Sequence, residues 1–203
     1  MKKLIFTALS ALIMQGAYAQ TEKATTISAP MSEEEAKMMK AYEEYAKPGP
    51  QHAMMAKDDG YWSEEITMWM APGAPPTVST AKVVNSMILG GRYQQSTHSG
   101  SFNDMPFEGI STLAYDNAKK MFISTWIDNM GTGIMIMEGK PVEQGKTMHM
   151  KGKQVDPVTG KDMDVREEIT FTDDGTQKMK MFMTPVGGKE YQTMEIVLTR
   201  MKK

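Results

Sequence analysis

Three stretches near the C-terminus decide the fold: MDVREEITFT (Met163–Thr172), QKMKMFMTP (Gln177–Pro185) and EYQTMEIVLTRM (Glu190–Met201). In the first, Val165, Glu167, Ile169 and Phe171 alternate with Arg166, Glu168 and Thr170. In the second, Met179, Met181 and Met183 alternate with Lys178 and Lys180, and in the third Met194, Ile196 and Leu198 alternate with Glu195 and Thr199. A period of two places successive side chains on opposite faces of a strand, so each stretch reads as a strand with one apolar face. Asp173-Asp174-Gly175 and Gly187-Gly188 supply turn chemistry between them.

The same rhythm extends upstream to Gly60. Trp62, Ile66, Met68 and Met70 alternate with Ser63, Glu65 and Thr67, and further turns fall at Asp116-Asn117, Gly139 to Gly145 and Asp156-Pro157 with Gly160. The resulting strands are 61–71, 78–89, 92–99, 107–115, 120–128, 131–138, 147–155, 163–172, 177–185 and 190–201. No helical segment separates them, so parallel crossovers are ruled out and the sheet is antiparallel. A meander of this length leaves no sticky edges if it closes, which predicts an all-β, up-and-down barrel of about ten strands. The alternative is a two-sheet β-sandwich. Arg200 is in phase with Leu198, and closure would bring it beside Trp62 on the first strand, where a guanidinium over the indole would seal the seam.

Before the strands the chain changes character. Lys2-Lys3, the apolar run Leu4 to Met14 and Ala17-Tyr18-Ala19 read as a cleavable signal over 1–19, which predicts a periplasmic or secreted protein beginning at Gln20. Residues 20–31 are small and polar and read as a flexible linker, followed by an N-terminal helical segment over 32–56 and the barrel domain over 57–203. Ser32 with Glu35 forms a capping box, and Lys47-Pro48-Gly49-Pro50 stops the helix it opens. Met38, Met39, Tyr42, Tyr45 and Ala46 give that helix a side able to dock. A second short turn over His52 to Lys57 is compatible with the pattern.

Composition narrows the function classes. The formal charge is −2, and −4 once Lys2 and Lys3 are removed, which speaks against nucleic acid or an anionic membrane as partner. No run of apolar residues is long enough to anchor the chain in a bilayer. Zero cysteines exclude disulfides, thiolate metal sites and a cysteine nucleophile. Only three leucines, Leu89, Leu113 and Leu198, follow residue 19, whereas the whole chain holds 23 methionines. Thioether side chains fill irregular cores, so methionine takes over leucine's task here.

Met68-x-Met70, Met135-x-Met137, Met148-His149-Met150 and Met179-x-Met181-x-Met183 also resemble copper-handling sequences, since soft thioethers suit Cu(I). On a strand, however, i, i+2 methionines share a face, which is the pattern of a core, and His149 points away from both of its neighbours. His52, His98 and His149 have no zinc spacing, and no nucleophile elbow or nucleotide loop is present, so no metal, cofactor or catalytic constellation is assigned. The acid pairs Glu167-Glu168 and Asp173-Asp174 are expected to point to opposite faces or to solvent. The polar residues in the middle of the chain are more informative. Gly90-Gly91 precedes and aims Arg92, Tyr115 ends a strand, and Ser124, Trp126 and Asp128 share one strand face. Arg92, Tyr115, Trp126 and Asp128 are therefore the candidate ligand-binding residues, with a structural network as the other reading.

Gly60-x-Trp62 with a closing Arg200 is similar to the lipocalin-like (calycin) pattern. Gly60-x-Trp62, Gly90-Gly91-Arg92, Phe107-x-Gly109, Tyr115-Asp116, Trp126-Ile127-Asp128, Gly160-Lys161 and Thr199-Arg200 occur in an order that resembles the bacterial family called domain of unknown function 1579, over residues 51 to 201. Where that family has Gly-Tyr-Asp, this chain has Ala114-Tyr115-Asp116. The resemblance implies a lipocalin-like barrel and carries no catalytic residues. The expectation is an exported binder of a small apolar or amphipathic molecule. A barrel packed solid with methionine, serving structure or interaction, and an enzyme on a small substrate, with Asp128 or Asp116 as acid/base, are the competing readings.

Overall fold

The computed structural model describes residues 31–140, 147–172 and 175–202. The expected signal, nearly all of the linker and the Asp173-Asp174 pair lie outside them. The chain divides into two compact units, 1–38 and 39–203. In the first, Ser32 and Glu35 form the expected capping box: the Ser32 amide and hydroxyl donate to Glu35 Oε2 at 2.8 and 2.9 Å, and the Glu35 amide donates to Ser32 Oγ at 3.3 Å. This box opens α1 (Glu33–Ala46). Its last turn lies in the second unit, held by Asn117 Nδ2, which donates to the Tyr45 and Lys47 carbonyls at 2.9 and 2.8 Å. Met39, Tyr42 and Tyr45, expected to dock, stay exposed, because backbone carbonyls rather than an apolar face fasten this end.

The second unit holds α2 (Pro50–Ala56) and the strands β1 (Gly60–Met68), β2 (Thr77–Ile88), β3 (Tyr93–Phe102), β4 (Met105–Asp116), β5 (Met121–Asp128), β6 (Met135–Gly139), β7 (Thr147–Val155), β8 (Asp162–Phe171), β9 (Thr176–Thr184) and β10 (Tyr191–Arg200). They form one closed barrel, each strand antiparallel to its neighbours in sequence, with β1 pairing β10 at the seam. The helical segment is thus two helices, because Pro48-Gly49 breaks it and Pro50 restarts it, with His52 Nδ1 accepting the Gly49 amide at 3.0 Å. β6 begins at Met135 rather than residue 131, since Gly131 to Ile134 stay exposed and outside the ladder. No helix among the described residues is long and apolar enough to cross a membrane.

At the seam the register sets Trp62 opposite Arg200, and the Arg200 guanidinium lies 4.3 Å over the indole, as the sequence pattern predicts. Arg200 also donates to the Lys57 and Asp59 carbonyls at 2.6 and 2.8 Å. The segment between α2 and β1 is held further by Trp62 Nε1 and Asn85 Nδ2, which both donate to the Asp58 carbonyl, and by Gln94 Nε2 on the Met55 carbonyl at 2.6 Å. These bonds satisfy the free carbonyls at the end of a helix.

α2 packs on β2, β3 and β4 and closes one end of the barrel. Its Met55 joins a buried cluster of Phe122, Met137, Met148, Met150 and Val165. Methionine thus fills the core, as expected. Other inward side chains in this half are buried, Trp62, Val83, Asn85 and Gln94 among them, and Met87, Leu113, Ile169 and Phe171 pack partly buried against the cluster. In the other half Ile66, Met68, Trp126, Met194 and Ile196 point inward yet stay partly exposed. The most buried inward side chains lie toward the α2 end and the more exposed ones toward the other.

Candidate functional site

Where packed and accessible halves meet, β1, β3, β4 and β5 build a polar wall. Glu64 is in phase with Trp62 and Ile66, so the alternation that turns those two inward also turns its side chain inward, 4% exposed. His98 answers it from β3, its Nδ1 lying 3.2 Å from Glu64 Oε2. The other ring nitrogen, Nε2, is buried and meets no partner among the described residues.

The His98 ring meets Trp126 edge-on, centroids 4.9 Å apart, and Phe107 stacks on the indole at 6.3 Å. Trp126 lies flat against β4 because Gly109 leaves room: a Cβ there would sit 2.6 Å from Trp126 Cη2. The Phe107-x-Gly109 motif is thereby explained as a seat for the indole. Trp126 Nε1 donates to Asp128 Oδ2 at 2.7 Å, and the other oxygen, Oδ1, accepts the Met130 amide at 2.9 Å. Asp128 therefore both holds the indole and caps the turn after its strand.

Of the four sequence-predicted residues, the structure brings Trp126 and Asp128 together on this wall. Tyr115 stands at the α2 end, edge-on to His52 at 6.0 Å and to Phe122 at 5.0 Å. Arg92 folds back on its own turn, Nη1 donating to the Leu89 carbonyl at 3.1 Å, rather than pairing with an acid. Its charge and burial together hold the His52 imidazole below its usual range, burial being the larger cause.

Sequence reasoning missed Glu64, His98, Asn85 and Glu167. Asn85 faces inward on β2, 8% exposed, and with Nδ2 spent on the Asp58 carbonyl its Oδ1 has no partner. The Glu167-Glu168 pair points to opposite faces, one of the two expected arrangements, but Glu167 is not solvated. Glu168 points outward to Arg166, but Glu167 faces inward between Met150 and Met181, 9% exposed, and no hydrogen bond reaches its carboxyl among the described residues. Burial alone pushes it up to about 7. The signal was present: both Glu64 and Glu167 occupy the apolar phase of their strands. Near the seam, burial likewise lifts Asp58 to about 6, against the pull of Arg200.

Among the described residues no three His, Cys, Asp or Glu side chains gather to hold a metal. Met148 and Met150 are buried while His149 faces out, so that triplet forms no common site.

No curated protein matches the chain. The crystal structure of Rv2717c from M. tuberculosis is similar at a TM-score of 0.59 and 15% identity, covering 77% of this chain and 100% of that one, which shows a shared barrel fold. A redesigned β-barrel is matched at a TM-score of 0.39 and 12% identity, covering 74% of this chain and 96% of that one. The family model described as Protein of unknown function (DUF1579) matches residues 47–200, the span that folds into α2 and the barrel, and the chain belongs to that family.

Proposed function

We propose that the barrel binds a small apolar or amphipathic molecule in its accessible half. One observation carries this reading: Ile66, Met68, Met194 and Ile196 point into the barrel and stay partly exposed. A fully packed interior would have buried them, as it buries Met137 and Met150 at the α2 end. The methionine side of the chamber is adaptable and apolar, and the Glu64–His98–Trp126–Asp128 side supplies the few polar groups by which such pockets orient a ligand. The exposed entrance lies opposite α2.

Titration with N-phenyl-1-naphthylamine, a neutral fluorescent probe of apolar pockets, tests the reading. Saturable enhancement at one probe per chain, lost in Ile196→Trp with an unchanged melting midpoint, is the expected result. Failure to saturate would end it.

The reading extends to export, resting on the signal-like pattern of residues 1–19. Intact mass of protein recovered outside the cytoplasm should begin at Gln20; a recovered form that retains Met1 to Ala19 refutes the proposed cleavage.

A further inference from the structure

We infer that the chamber selects ligands with a cationic, hydrogen-bond-donating head, an amphipathic amine rather than a fatty acid. The inference rests on the binding reading above and concerns which head group the chamber accepts.

The barrel sorts its charges by strand phase. Lys82, Lys151, Lys153, Lys178 and Lys180 all fall on the outward phase. The charged or ionisable residues on the inward phase of the described strands are Glu64, Asp128, Glu167, His98 and Arg200. Arg200 stands at the α2 end, occupied by Trp62 and the carbonyls of Lys57 and Asp59. Three carboxyl groups and one imidazole therefore face the interior, with no cation left to receive an anionic head.

Two buried polar atoms lack a hydrogen-bond partner among the described residues, His98 Nε2 on the polar wall and Asn85 Oδ1 toward the α2 end. The Glu167 carboxyl, nine-tenths buried between two methionines, has no hydrogen-bond partner either. Buried acceptors are costly unless a donor reaches them. In the closed ten-strand order β8 lies five strands from β3 in both directions, so Glu167 and His98 face the interior from opposite sides. A carboxylate head would add a like charge among acids and bring only acceptors. An ammonium brings donors and the opposite charge.

The test is displacement of bound N-phenyl-1-naphthylamine from the full chain, at neutral pH and below micelle formation, by dodecylamine, dodecanol and dodecanoate. Their tails are equal, so the heads decide. Dodecylamine should displace the probe at a concentration about tenfold lower than dodecanoate, with dodecanol between them. Glu167→Gln, which removes an unpaired carboxyl and leaves the Glu64–His98 pair intact, should bring amine and carboxylate within about threefold while the melting midpoint holds or rises. Dodecanoate equal to or better than dodecylamine overturns the inference and leaves the binding reading standing, as does an amine preference that survives in both Glu167→Gln and Asp128→Asn. Absence of any probe binding overturns both.

Discussion

Trp62 and Arg200, the first tryptophan and last arginine of the chain, face each other across the seam with the guanidinium 4.3 Å from the indole centre. The same guanidinium donates to two carbonyls of the segment that joins α2 to β1. It therefore fastens the seam and the end closure together.

Arg200→Ala should lower the unfolding free energy by about 2–3 kcal/mol, the sum expected for a cation–π contact and two charge-assisted hydrogen bonds at a partly exposed site. Arg200→Lys should recover only part, because an ammonium cannot cover the indole and reach both carbonyls. Urea unfolding checks it; a midpoint equal to the parent's would contradict the role given to Arg200.

Glu167 makes stability depend on pH. Its folded pKa, about 7, is raised above the ordinary 4.5, so the uncharged form is the one the fold accommodates. The stability it contributes is full below about pH 4.5 and is lost as pH rises through 7. Asp58, lifted to about 6, acts with the same sign over a lower window. Glu167→Gln should be more stable than the parent by on the order of 2–3 kcal/mol at pH 8 and nearly equal to it at pH 5. Equal stability of the two proteins at pH 8 would show that the carboxyl is solvated.

Gly109→Ala should displace the Trp126 indole, since the added Cβ would approach two ring carbons within 2.7 Å. The expected cost is about 1–3 kcal/mol, with loss of the near-ultraviolet circular dichroism of a fixed indole. Gly131→Ala, where a Cβ meets nothing within 4 Å, is the matched control. Identical spectra for parent and Gly109→Ala would place the ring elsewhere.

Mild peroxide should oxidise Met38, Met39 and Met70, all about half exposed or more, before Met137, Met148 and Met150, which are at most 4% exposed. Met179, Met181 and Met183 should fall between, because they face inward and are partly exposed. Peptide mass spectrometry gives the order. Oxidation of Met150 at the rate of Met38 would mean the packed half opens readily.

The architecture was legible because alternation is a local signal: phases read from Met179-x-Met181-x-Met183 or Val165-x-Glu167-x-Ile169 need no knowledge of partners. Closure was legible through the Trp62–Arg200 pair, which has meaning only if first and last strands meet. The site was half legible. Trp126 and Asp128 lie two apart on one strand, so their shared face follows from spacing. Arg92 and Tyr115 were grouped with them by neighbourhood in the chain, yet Tyr115 lies at the opposite end of β4 from Gly109, the residue on which Trp126 rests. Position along the barrel axis depends on register, and alternation does not encode register. Glu64 and Glu167 were passed over for a different reason. Each stands beside a second acid, Glu65 or Glu168, and such a pair looks solvated until the phase of the strand shows which member turns inward.

Nine of the ten strand pairings join strands consecutive in the chain, and the seam alone joins its distant ends. Hairpins close short loops at little entropic cost, whereas pairing Trp62 with Arg200 must close nearly the whole domain at once. The nine hairpin pairings can zip in any order, and the ring forms last. Until it does, the intermediate is an open curved sheet carrying two bare edges, the form of this chain most exposed to pairing with another copy. A single arginine that grips both the opposite strand and the end segment holds those two edges together once the ring has closed.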